Sequence, residues 1–68
     1  MSTARENAEN IKQILNVERV DVSRCGDGFQ SFIVSDKGLV LVGVLSEKTN
    51  NCVLVNPLTR GIVKEIKL

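Results

Sequence analysis

Leu39-Val40-Leu41-Val42-Gly43-Val44-Leu45 is an unbroken apolar run of seven residues in a chain of 68. Side chains alternate between faces along a strand, so a strand apolar at both parities needs cover on both sides of its sheet. The N-terminal segment supplies one cover, as a single amphipathic helix. The second must come from the sheet curling into a small barrel or from another copy of the chain. On this reading Leu39, Leu41, Gly43 and Leu45 form the candidate oligomer interface, and the protein is expected to homo-oligomerise.

Upstream of the run, Thr3 and Glu6 have the Thr-x-x-Glu spacing of a capping box, which places a helix start near residue 4. Ala4, Ala8, Ile11 and Leu15, with Ile14 beside them, recur at the three-and-four spacing of one apolar stripe. Ile11, Ile14 and Leu15 are expected to make the main contact with a sheet. After Asn16 the period changes to two: Val20 and Val22 alternate with Arg19, Asp21 and Ser23, as in a half-buried strand. Cys25-Gly26-Asp27-Gly28 reads as a turn. Phe29 to Val34 follows as a second strand, with Phe29, Ser31 and Ile33 on one face and Gln30, Phe32 and Val34 on the other. Asp36-Lys37-Gly38 matches a three-residue hairpin loop with glycine in the left-handed position.

The apolar run is the third strand, and Gly43 within it is read as a bend. Ser46 to Asn51 is a polar connection, and Cys52 to Val55 a fourth strand. Asn56 to Gly61 supplies turn residues, and Ile62 to Leu68 closes the chain. In that last strand Ile62, Ile66 and Leu68 are expected on one face around Lys64, opposite Val63, Glu65 and Lys67. Short connections favour antiparallel neighbours, because parallel strands need crossovers of a dozen residues or more. The fold class is therefore α+β, mainly β: one helix, then a five-stranded antiparallel meander forming a curled sheet or small barrel, as one domain over residues 1 to 68. This order of elements resembles that of the bacterial Sm-like RNA-binding proteins, where a short N-terminal helix precedes a five-stranded bent barrel that assembles into rings. The likeness is one of element order; the chain carries none of that family's motifs, and no RNA-contacting residue is transferred.

A domain of this size buries only about 60% of its unfolded surface, which adds weight to reinforcement by self-association. The apolar fraction of 43% and charged fraction of 25% are those of a folding chain rather than a disordered one. Phe29 and Phe32 are the only aromatics, which removes base-stacking platforms and aromatic cages. Net charge is +1, too small for an overall field that would draw the protein to nucleic acid or an anionic membrane. The basic residues are unevenly placed: Lys48, Arg60, Lys64 and Lys67 face only Glu65 in the last third. The N-terminus is polar and the apolar run is far short of the ~20 residues needed to span a bilayer, so a cytoplasmic protein with no membrane partner is expected.

The chain has no histidine, the commonest general acid or base and the commonest transition-metal ligand. Asp27 and Asp36 flank the second strand at opposite ends and cannot share a site within a protomer. Gly26-Asp27-Gly28 lacks the glycine spacing, lysine and following helix of a phosphate loop. Cys25 and Cys52 are too few for a zinc site and are expected as free thiols. No catalytic, cofactor or metal residue is assigned, and the protein is read as a non-enzyme. The expected function is that of an oligomeric protein-interaction module, binding or inhibiting another macromolecule. The alternative is a small nucleic-acid-binding barrel in which Lys48, Arg60 and Lys64, multiplied by symmetry, contact phosphates.

Overall fold

A computed structural model describes residues 3–68. Helix α1 (Ala4–Leu15) starts at the expected capping box: the Thr3 hydroxyl accepts from the Glu6 N–H at 3.1 Å, and the Glu6 carboxylate accepts from the Thr3 N–H at 3.2 Å. The Thr3 backbone N–H first, and second the Thr3 hydroxyl, which itself donates to the same carboxylate at 3.0 Å, hold the Glu6 carboxyl below its ordinary range. The helix stops at Asn16, whose φ of 55° is left-handed, a conformation asparagine tolerates better than most residues.

Five strands follow: β1 (Arg19–Gly26), β2 (Phe29–Asp36), β3 (Leu39–Ser46), β4 (Asn51–Val55) and β5 (Ile62–Lys67). Each pairs antiparallel with its neighbours in the chain, in the order β1-β2-β3-β4-β5. The expected helix-plus-meander is the observed architecture, and the sheet is open rather than closed into a barrel.

Several local expectations are corrected. The β2–β3 connection is a two-residue turn, with Asp36 still paired to Leu39 and both Lys37 (φ 48°) and Gly38 (φ 82°) left-handed. Two positive φ values in succession are the signature of the tight turn whose twist matches that of the flanking strands. Likewise β1 runs on to Gly26, paired with Phe29, and only Asp27 and Gly28 turn. In β5 the ladder slips: Lys64 faces Leu54 while Ile62 faces Val55, leaving Val63 as a bulge residue. That extra residue reverses the parity, so Ile62 and Ile66 lie on opposite faces rather than together. A second bulge, at Ser23 of β1, falls where Val22 faces Phe32 and Arg24 faces Ser31.

One face of the sheet carries the core. Phe32, Val34, Leu41, Leu45, Cys52 and Leu54 point inward and are buried beneath Ala8 and Ile11 of the helix. Full burial of a side chain such as Phe32, Ile11 or Leu45 stabilises the fold by about 1.5–3 kcal/mol. The helix sits nearest β1 and β2, and Ile66 and Leu68 at the β5 end pack against the same cluster. Ile14, expected in the contact, is half exposed, whereas Asn7, about two turns earlier on the same side of the helix, is buried. Gly43 lies between Phe32 and Leu54 in an unbroken ladder. A Cβ there would stand 3.2 Å from Leu54 Cδ2 and 3.4 Å from Cys52 Sγ. A side chain there would need Leu54 and Cys52 to give by a few tenths of an ångström, so close packing of the core accounts for the glycine without a bulge.

Candidate functional site

The outer face of the sheet has no covering element among the described residues. Its side chains are fixed by the register into level rows. One row runs Asp21, Ile33, Val42, Val55, Ile62 from β1 to β5, and the next runs Arg24, Ser31, Val44, Val53, Glu65. Val40, opposite Ser35, begins a third. Val40, Val44, Ile62 and Val63 are exposed, and Ile33, Val42, Val53 and Val55 are half-buried. Charge is confined to the flanks: Arg19, ion-paired to Asp21 at 2.7 Å, and Arg24 lie on β1, with Glu65 and Lys67 on β5. The face is an apolar panel with charged margins on both edge strands.

Of the residues expected at an oligomer interface, Leu41 and Leu45 are buried in the chain's own core and Gly43 lies among core side chains. Leu39 shares their parity at the open end of β3 and is half exposed. The residues of the apolar run that remain uncovered are the alternate set, Val40, Val42 and Val44. Lys48, Arg60 and Lys64 are not brought together: Lys48 follows β3 at one end of β4, Arg60 lies in the turn beyond the other end, and Lys64 is on the inward parity of β5 opposite Leu54.

A second feature lies at the end of the sheet where β3 turns into β4. Asn7 Nδ2 donates to Gln30 Oε1 at 2.8 Å, and Gln30 Nε2 donates to Glu47 Oε2 at 3.2 Å. Asn7 and Gln30 are the buried polar side chains of the described residues, and this chain satisfies them. It borders a half-open cleft of 770 Å³ lined also by Leu45, Lys48 and Asn50. The tie fastens the helix to β2 and β2 to the β3–β4 connection. Sequence reasoning missed it, although Asn7 stands at the same three-residue spacing from Ala4, and four from Ile11, as the stripe itself.

Cys25 is an exposed free thiol and Cys52 a buried one, whose pKa is pushed up by burial. Among the described residues no three or more Cys, Asp or Glu side chains are grouped to hold a metal ion, and no helix is long and apolar enough to cross a membrane. Comparison with known proteins returned no matching family model, no matching curated sequence and no matching solved structure.

Proposed function

We propose that this protein is a small non-enzymatic interaction module, an oligomeric binder or inhibitor of another macromolecule, and that the outer sheet face is the surface by which it engages protein. The observation that carries this reading is the row Ile33–Val42–Val55–Ile62, continuous over β2 to β5 on the uncovered face and flanked by exposed Val40 and Val44. Apolar surface left in water costs about 25 cal/mol per Å² relative to burial, and contiguous exposed patches of this kind mark contact sites. A photo-crosslinking residue at Val44 tests the reading, with the same residue at exposed Gln13 on α1 as control. Protein adducts should form from position 44 and be lost when Val42→Lys is added. Equal yields from both positions, or none from position 44, would refute the use of this face.

A further inference from the structure

We infer that the occupant of the outer face is a second copy of this chain, packed sheet against sheet about a two-fold axis running along β3. This rests on the reading of that face as a protein-binding surface and names its partner. Five strands in sequential order make β3 the middle strand, flanked symmetrically by β2 and β4 and then by β1 and β5. A two-fold axis in the plane of contact and parallel to the strands reverses the strand order but keeps every row level. The row Arg24, Ser31, Val44, Val53, Glu65 then falls on its own reverse. Val44 meets Val44, Ser31 meets Val53, and Arg24 of each copy stands over Glu65 of the other. In the neighbouring row Val42 meets Val42 and Ile33 meets Val55, with Asp21 over Ile62 at the wet rim.

Packed sheets lie about 10 Å apart, a gap that facing valines fill at the centre and an extended arginine and glutamate span at the margin. Within one chain Arg24 and Glu65 sit on opposite edge strands, four strand spacings or roughly 19 Å apart, so their complementarity has no intramolecular use. The other route to assembly, addition of strands edge to edge, is obstructed at both ends. The two bulges of the sheet, at Ser23 and Val63, fall on its two edge strands, where they interrupt the ladder a neighbour would extend.

The available area fits a modest dimer. Five strands give a face about 24 Å wide and about 23 Å long, so two copies cover roughly 1,100 Å² in plan, just above the ~1,000 Å² of a specific interface. A contact centred on valines, in a chain with no Trp or Tyr to anchor it, is expected at the micromolar end of affinities, because hot-spot quality rather than area sets affinity.

Sedimentation velocity from about 1 to about 100 μM brackets that affinity and should show a monomer–dimer equilibrium. Val44→Lys should remain monomeric throughout while keeping the wild-type circular dichroism, since the position is exposed. Arg24→Glu alone and Glu65→Arg alone should each weaken association about tenfold or more by placing like charges together, and the combined exchange should restore it. A monomer at the highest concentration, a dimer indifferent to Val44→Lys, or a combined exchange no better than either single change would overturn the inference. A wild-type monomer that still crosslinks to a different protein through position 44 would reject the second copy and leave the outer face standing as a binding surface. A monomer with no adducts would reject both.

Discussion

Asn7 of the helix donates a 2.8 Å hydrogen bond to Gln30 of the sheet across 23 residues of sequence, and both side chains are almost wholly buried. A buried amide is costly only when its partner is missing. Gln30→Met alone strands the Asn7 amide and releases Glu47, and should destabilise the fold by about 1–3 kcal/mol. Asn7→Leu combined with Gln30→Met removes donor and acceptor together and should recover most of that loss. Urea unfolding of the singles and the double, read as a cycle, checks it; additive effects would show that the bond contributes little.

Gly43 gives a second prediction. With Leu54 Cδ2 and Cys52 Sγ at 3.2 and 3.4 Å from the position of a Cβ, valine has no room without moving the core. Gly43→Val should lower stability by about 1–3 kcal/mol despite valine's better strand propensity. An unchanged melting midpoint would mean that Leu54 and Cys52 yield freely.

The two thiols should behave differently. Cys25 is exposed and should react with a thiol reagent in the folded protein, whereas Cys52 should react only after unfolding. Burial raises the pKa of Cys52, so the folded state holds this proton more tightly than the unfolded chain. The stability attached to it is complete below the unfolded value of about 8.5 and is lost as pH rises through the folded value. The melting temperature of wild type should therefore fall more steeply above pH ~8.5 than that of Cys52→Ala. Parallel slopes would count against it.

The nucleic-acid alternative makes its own demand. Lys48 and Arg60 lie beyond opposite ends of β4 and the net charge is +1, so no appreciable retardation of single-stranded RNA or duplex DNA is expected at ~150 mM salt. Retardation abolished by Arg60→Ala with Lys64→Ala would place that reading first.

What the chain discloses before folding is uneven, and the reasons are local. The helix start was legible because Thr3 and Glu6 satisfy backbone amides by side-chain chemistry alone. The meander was legible because its connections are too short for crossovers. The face of the apolar run that stays bare was not, since Leu41 and Val42 are equally apolar and only the helix, docking over Phe32 and Val34, chooses between parities. The reversal at Ile62 depends on a single inserted residue, Val63, which no periodicity announces. The Lys37-Gly38 turn was hidden by Lys37, a residue that takes the left-handed conformation here because the twist of the two strands demands it. Asn7 was passed over because its polarity disguised a position whose spacing belonged to the apolar stripe.

Because every strand bonds only to its neighbours in the chain, the sheet is a ribbon of consecutive hairpins, and α1 is the element laid over it from outside the ladder. The helix is fastened by Ala8, Ile11 and the Asn7 amide, whereas β2 and β3 are each held on both sides by hydrogen-bonded partners. A hierarchy of opening is therefore expected in hydrogen exchange: amides of α1 should exchange through a partial unfolding, and those of β2 and β3 should be the slowest.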